Sequence, residues 1–454
     1  MAESYIQSPP DSSGKRVHAR IENDGINDIY TPIHHLADRH DHSLLQSVDN
    51  EGAAKVSFAG GSPAFDVFGR TTVSEPNLMA MYKFYHRDYA EEFEKKEVGG
   101  ALIARDNALK MLKLTCGTAA GDIAEYHSHR HFHYRPGNSM TAIWTMKVGD
   151  TGKTNVTRWA GFRTELDGIY FEIVDSNIFV VIKNGSIGGE ERVAVSAWNG
   201  DRLDGFGGET NLSGATLSTD ALSIWWIDFQ YLGAGAVRFG TYVNGQKVVC
   251  HTVGHYGALD RPYLASPALS IAFGQENTGV TGSSSEMHVG CAVITNDGYD
   301  EFDRRPVSIS AEKTITTTTH VPVLSFRPTA SFHGVDNRAR ILPQVVSVLA
   351  EGGSIEIIAT AVPTLIGDAW GNSVSGTEYD TAATSLSGGE VKTSTYVANG
   401  RSETIDLSSI FKINIDGITR HYTPATTDII TISARLLNTG SATAAISLNV
   451  IEIE

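Results

Sequence analysis

The chain has 454 residues, 41% of them hydrophobic, enough to bury a large core in roughly two to four domains at about 150 residues each. Its 36 Lys and Arg against 52 Asp and Glu leave a formal charge of −16, which repels phosphate. No basic block interleaves with aromatics, so nucleic acid is excluded as an expected partner.

Glycine (45) far outnumbers proline (14), and Ser/Thr/Gly-rich breaks recur at short intervals, which favours many short strands joined by tight turns. The fold class read from this pattern is all-β. Cys116, Cys250 and Cys291, an odd count at irregular spacing, form neither a disulfide framework nor a zinc knuckle and read as buried thiols. The start, MAESYIQSPPDSSGKR, lacks the apolar run of a signal peptide, and no later stretch approaches about 20 consecutive apolar residues. The expectation is a soluble protein made in the cytoplasm, with no membrane partner.

In chain order, residues 1–63 are polar and turn-rich and read as an extended arm that docks on a neighbour. Residues 64–139 read as a docking region with β-hairpins. Within it, Glu75 to Glu97 is the one helical candidate, although the spacing of Tyr82, Phe84, Tyr85, Tyr89 and Phe93 fits helix and strand almost equally. MLKLTC and IAEYHSHRHFHY alternate as strands, and Pro136-Gly137 then forms a turn before MTAIWTMKV, giving a hairpin or a sheet corner. Residues 140–305 carry strands at about 8–12-residue spacing, the mark of a sandwich. Their best-marked passages are WNGDRLDG (Trp198 to Gly205) and the segment Ile224 to Val253, which turns at Gly233 to Gly235 and at Asn244-Gly245 as adjacent antiparallel strands do. A boundary falls near Tyr299 to Pro306, and residues 306–454 form a further β domain whose last strand is built into a sheet.

Four segments carry a resemblance, in order: AFDVFGRTTVSEPN (Ala64 to Asn77), RHFHYRPGNSM (Arg130 to Met140), the WNGDRLDG and IDFQYLGAGAVRFG passages, and LSFRPTASFHGVDNRARILP (Leu324 to Pro343). Together they resemble a group of large virion structural proteins of tailed bacteriophages. That resemblance implies a concanavalin/jelly-roll-like central sandwich, a C-terminal β-sandwich and a place in the virion as a fibre, collar, adaptor or head-decoration protein. It also implies synthesis in the host cytoplasm and capsid, portal, neck or tail proteins as partners. The oligomer expected is a homotrimer, because pairing open strand edges with neighbouring subunits turns a liability into an interface.

His127, His129, His131 and His133 alternate with Ser128, Arg130 and Phe132, so on a strand all four imidazoles share one face. On a threefold axis three such strands complete an octahedral nitrogen site of the kind iron or nickel accepts; the other reading is a solvated face of half-charged histidines. No other cofactor is expected. The cluster His34, His35, Asp38, His40, Asp41 and His42 has zinc-ligand residue types but reads as a polar arm. Asn199, Asp201 and Asp204 read as Asx turns rather than a calcium loop. Trp198, Trp225 and Tyr231 are candidates for stacking on sugar rings. Trp225 and its neighbour Trp226 must point to opposite faces of a strand, so core packing is the default for one of them. Glu165, Asp167, Glu172 and Asp228 offer carboxylates for hydrolysis, but no spacing selects a pair, and no nucleophile elbow is present. The reading is a non-enzymatic virion component that self-assembles and docks. The alternative is a receptor-binding protein that recognises host glycan through the sandwich, and a polysaccharide depolymerase comes third.

Overall fold

The computed structural model describes residues 76–90, 92–150, 152–185, 188–205, 211–298, 304–410, 417–420 and 427–453, and three strands before them. The chain divides into two compact units, Met1–Ala64 and Phe65–Glu454. In the first unit, β1 (Ser4–Gln7), β2 (Arg16–Asn23) and β3 (Asp28–Pro32) pair in sequence as an antiparallel meander. The expected extended arm therefore contains a small sheet. His34 to His42 lie outside the described residues.

Among the described residues the second unit opens with fifteen strands. They are β4 (Asn77–Lys83), β5 (Phe93–Val98), β6 (Leu102–Asp106), β7 (Met111–Cys116), β8 (Ile123–Ser128), β9 (Met140–Lys147), β10 (Val156–Arg163), β11 (Asp167–Val174), β12 (Asn177–Asn184), β13 (Gly189–Ala194), β14 (Ser223–Phe229), β15 (Val237–Val243), β16 (Gln246–Val253), β17 (Ser270–Asn277) and β18 (Ser285–Asn296). They build two antiparallel sheets, one ordered β13-β12-β11-β10-β17-β8-β5 and the other β16-β15-β14-β9-β18-β7-β6. The long β18 shares one edge between β7, along Ser285 to Val289, and β4, along Cys291 to Asn296. The sandwich thus runs from residue 77 to 296, and the expected separate region 64–139 is corrected: β4 to β8 are sandwich strands.

The helical expectation for Glu75 to Glu97 is corrected as well. Tyr82, Phe84, Tyr89 and Phe93 all turn into one aromatic cluster, with Tyr82–Phe93 centroids 4.7 Å apart and Phe93 stacked on Tyr126 at 4.5 Å. Burial of these rings against the sheet outweighs a weak local helix preference. The PGNS turn is the sheet corner, since β8 and β9 belong to different sheets. Asn244 and Gly245, both at positive φ (51° and 80°), join β15 to β16 as the sequence requires.

Inside the sandwich Phe171 of β11 is the meeting point of the two sheets. Its ring meets Trp225 at 4.8 Å, Phe239 at 5.4 Å, Trp144 at 6.1 Å and Trp198 at 6.2 Å, all edge to face. Trp198 lies just beyond a short 3₁₀ turn, Val195–Ala197, that follows β13. From there the chain crosses to the other sheet, where Gly200 and Asp201 donate N–H groups to Cys250 O and Val249 O of β16 at 3.0 Å each. The WNGD strap therefore covers the free edge of β16 and closes one open side of the sandwich.

The C-terminal strands are β19 (Arg304–Ile315), β20 (Val321–Pro328), β21 (Ser331–Phe332), β22 (Val335–Asp336), β23 (Arg340–Glu351), β24 (Ile355–Ala361), β25 (Thr364–Ile366), β26 (Asn372–Val374), β27 (Thr377–Asp380), β28 (Ser385–Ser387), β29 (Glu390–Val397), β30 (Arg401–Asp406), β31 (Ile430–Leu436) and β32 (Ala442–Ile453). Most form a second sandwich of two antiparallel sheets, β19-β32-β23-β30 and β26-β27-β20-β31-β24-β29, around its own aliphatic core. The final strand β32 sits between β19 and β23, so the chain's end is built into a sheet. Arg338, just before β23, ties the two sandwiches by donating to Ala268 O at 2.9 Å.

Trp198 and Trp225 are 0% and 2% exposed. Replacing either with alanine is expected to lower unfolding free energy by about 3–5 kcal/mol, the cost of a large core aromatic, measured as a shift in urea midpoint. A change within experimental error would show that the ring is not core.

Candidate functional site

The four alternating histidines do not share a strand. β8 stops at Ser128, whose Oγ donates to Arg130 O at 2.8 Å and accepts from Ile271 N at 3.2 Å. The hydroxyl takes the bond that the ladder would have made, so the chain leaves the sheet there. His127 alone stays in β8, with Nε2 3.3 Å from Glu94 Oε2, while His129, His131 and His133 fall in irregular chain. The expected single imidazole face is corrected, because the strand ends before three of the four rings; within one chain, no group of three or more His, Cys, Asp or Glu among the described residues is placed to hold a metal ion. Burial, aided by the nearby Arg340, Arg130 and Arg338, holds the His133 imidazole down at about 3.

Trp198 and Trp225 are corrected too: both are enclosed by the rings around Phe171 and present no face to a ligand. Trp226 points to the opposite side of β14, where it lies over Gly240 beneath the Lys247 ammonium, 4.1 Å from the ring centroid. A methyl group at Gly240 would collide with that indole and with Val248 O. Of the three predicted rings, only Tyr231 is half-buried rather than fully enclosed, and it leads toward an open depression.

That depression, of about 240 Å³, opens where the edges of the two sheets meet beside the strap. One wall is the end of the β12–β13 hairpin, with Asn184, Glu190 and Glu191. The other is the loop 254–263 after β16, with His255, Asp260, Arg261 and Tyr263. An aromatic ladder supports the loop from below: Tyr134 meets Tyr231 at 5.8 Å, Tyr231 meets Tyr263 at 5.3 Å, and His255 stacks on Tyr263 at 4.3 Å and 11°. Polar anchors fix the same pieces. Tyr231 Oη donates to Leu264 O at 2.8 Å, Tyr263 N to Gly233 O at 3.1 Å, and Asn184 Nδ2 to Pro262 O at 3.2 Å. Asp167 accepts the N–H groups of Ala265 and Ser266 at 3.1 and 3.2 Å.

His255 is 4% exposed; its Nδ1 lies 2.8 Å from Gly235 O and its Nε2 3.4 Å from Glu191 Oε2. The Gly235 carbonyl fixes Nδ1 as the protonated nitrogen, so in the neutral ring the Nε2 lone pair faces a carboxylate. Burial disfavours the charged ring, yet the Glu191 carboxylate and the Gly235 carbonyl together raise its pKa above the ordinary 6.5. Directly beside this locked base the loop turns outward. Tyr256 is 98% exposed, Leu232 of the adjoining loop 56% and Leu259 45%. Tyr256 carried no signal in the sequence, because one tyrosine in the turn-forming stretch Gly254-His255-Tyr256-Gly257 looks like any other.

The solvent face of the seven-stranded sheet is the other concentration of rings and charges, and it is occupied by its own side chains. Trp159 lies flat over Gly274 with the Arg163 guanidinium 4.4 Å above it, and Arg163 donates to Glu125 at 2.7 Å. The carboxylates considered for hydrolysis are dispersed. Glu172 pairs with Arg192, Asp228 accepts from Ser139 and Arg238, Asp167 holds the loop described above, and Glu165 is exposed. Of the Asx turns expected at the strap, the one at Asp201 is present, with Leu203 N donating to its Oδ1 at 2.9 Å; its Oδ2 accepts Ser213 N at 2.7 Å, and Asn199 and Asp204 bond instead to Thr252 and Asn211.

No family model matches the chain, and no curated protein matches it. Among solved structures it is similar to the carbohydrate recognition domain of Emp47p, at 11% identity and TM-score 0.32 over 50% of this chain and 99% of that one. It is similar also to a legume lectin-like domain from Entamoeba histolytica, at 8% identity and TM-score 0.30 over 49% and 98%. A family 16 glycosyl hydrolase from Mycobacterium smegmatis matches at 10% identity and TM-score 0.32 over 48% and 100%. Likenesses this distant decide nothing about ligand or chemistry.

Two of the perturbed histidines, His255 and His133, act on stability in opposite directions. The folded pKa of His255 lies above the unfolded value, so its contribution is complete below about 6.5 and is lost as pH rises through the folded value. His133 lies below the unfolded value, so its contribution is complete above about 6.5 and is lost as pH falls toward about 3. Urea midpoints across pH 4–9 are expected to show both losses. His255→Gln should remove the alkaline loss, and His133→Gln should reduce the acid one, the remainder coming from His251, His288 and His320, which burial also holds below 6.5; an unchanged profile in either variant would refute that assignment.

Proposed function

We propose that this chain recognises carbohydrate at the loop end of its central sandwich, as a homo-oligomeric component of a tailed-bacteriophage virion. The observation that carries the first part is Tyr256, a fully exposed ring on an anchored loop, next in sequence to His255, which lines a polar depression. A sugar needs an apolar face to cover its C–H surface and directional polar groups for its hydroxyls. Tyr256 and the exposed Leu259 of the same loop supply the first, and Glu190, Glu191, Asp260 and the His255 ring supply the second. About 240 Å³ is below the range typical of drug-sized ligands and suits one sugar unit, the rest of a glycan lying over the rim.

Exposed loops on a rigid sandwich are where such sites tolerate change, because the framework beneath does not depend on them. The virion setting is supported by the four sequence segments, which span both sandwiches, and by the acidic, cysteine-poor composition. In that setting the sandwich would meet host surface glycan while the remainder docks on virion proteins. Light scattering on the purified chain tests the oligomer, with a trimer expected and a monomer counting against it.

Tyr256→Ala is expected to weaken binding to a glycan identified on an array by about tenfold or more, equivalent to about 1.4 kcal/mol. Its thermal midpoint should stay within a degree or two of the parent, since the ring buries almost nothing. Absence of any array hit for the intact oligomer would overturn the reading.

A further inference from the structure

We infer that the strap is a clasp opened by protons: its hold on the edge of β16 runs through the His251 ring and is released in acid. From Asn199 to Asp201 the strap lies along β16 in the manner of an added edge strand. Asn199 Nδ2 donates to Thr252 O at 2.8 Å, and Thr252 N donates to Asn199 Oδ1 at 2.9 Å. Gly200 N and Asp201 N reach Cys250 O and Val249 O at 3.0 Å each. A methyl group at Gly200 would stand 2.5 Å from Val249 O and 2.9 Å from Cys250 O, so the two backbones lie in direct contact. Each of these bonds joins an amide to a carbonyl, and neither partner titrates. The remaining bond is different, because the Asn199 backbone N–H donates to Nδ1 of His251 at 3.1 Å.

A backbone amide can only donate, so Nδ1 must be the unprotonated nitrogen of a neutral ring. His255 is the reverse case, with its Nδ1 turned to the Gly235 carbonyl. A proton added to His251 makes its Nδ1 a donor aimed at another donor, and the amide loses its acceptor beside a ring that is 6% exposed. The groups around the ring set where this happens. β15 places Phe239 opposite it, and burial opposes its charge. Glu191 of β13 acts the other way, but its carboxylate lies 3.4 Å from the His255 ring, with which it pairs. On the strap, the Asp201 carboxylate turns to Leu203 N and Ser213 N, and Arg202 Nε donates to Trp198 O. Burial is the larger influence, so the ring is neutral at pH 7 and titrates below its ordinary 6.5. With the folded value below the unfolded one, closure is fully favoured above about 6.5 and weakens as pH falls through the folded value. Release bares the row of amides and carbonyls along β16, which another strand can pair with, and frees the start of the loop that carries His255 and Tyr256.

The test is hydrogen exchange on the full chain between pH 7.5 and 5, each rate corrected for the pH dependence of an unfolded amide. Protection of the amides at 199–201 is expected to fall by about tenfold or more over that range, while those of β12 hold, so that the opening is local. His251→Asn puts a side-chain oxygen where Nδ1 stands, an acceptor that does not titrate, and should keep the strap protected at pH 5. Gly200→Ala, whose methyl group pushes the strap off the edge, should leave it unprotected at both pH values and so marks the open state. Nitrogen NMR of the parent ring gives a readout that needs no variant: His251 Nδ1 should be unprotonated at pH 7.5, and its titration should coincide with the loss of protection. Protection that does not change with pH, a ring with its proton on Nδ1 at pH 7.5, or a fall that persists in His251→Asn would each overturn the inference.

Discussion

The edge-to-face packing around Phe171 is the contact on which the central sandwich depends. It draws one ring from β11, two from β14 and β15, one from β9 and one from the strap after β13, so it joins both sheets and the crossing between them. Aromatic pairs of this kind contribute about 0.5–1.5 kcal/mol each beyond the area they bury. Their larger effect is geometric, because a ring held edge-on by four others fixes the distance and register of the layers that carry them.

That geometry is passed outward through Trp198. Seated on Phe171, it obliges the chain to leave β13 and run along the edge of β16, which brings Asn199 to Thr252 and Asn199 N to the His251 ring. The loop that follows β16 therefore starts from a fixed point. Its first side chain to turn inward, His255, reaches Glu191 on the facing edge strand, so one ion pair spans the two sheets at the side the strap leaves open. Rigid packing inside and an exposed ring outside are consequences of the same arrangement: the loop is anchored at Asp167, Gly233 and Leu264, and only its tip is left for a ligand.

Both outer faces use one device. Trp226 over Gly240 beneath Lys247, and Trp159 over Gly274 beneath Arg163, each lay an indole flat on a backbone with no Cβ and cover it with a cation. An aromatic residue on a solvent-facing strand position is thereby removed from solvent without a second layer of structure. The same device explains why the seven-stranded face, rich in rings and charges, offers little to a ligand: its groups already satisfy one another.

The sequence by itself determined the class, the alternation and the turns. Period-two burial, Asn244-Gly245 and Pro136-Gly137 are local features, and local sterics enforce them wherever the strands pair. It also determined that Trp225 and Trp226 face opposite ways. It misplaced the boundary at residue 139, the helix at Glu75 to Glu97 and the shared face of His127 to His133. Each of these depends on a partner distant in sequence: β18 for β4, the Tyr126 ring for Phe93, and Ile271 for Ser128. Only the tertiary structure decided which aromatic residue faces water. Trp198 and Trp225 are drawn into the core by a ring on another sheet, whereas Tyr256 is pushed out by a turn whose anchors, Gly235, Glu191 and Tyr263, come from three separate segments. Burial is a property of what surrounds a side chain, and in a sandwich closed by long-range pairing most of those surroundings come from elsewhere in the chain.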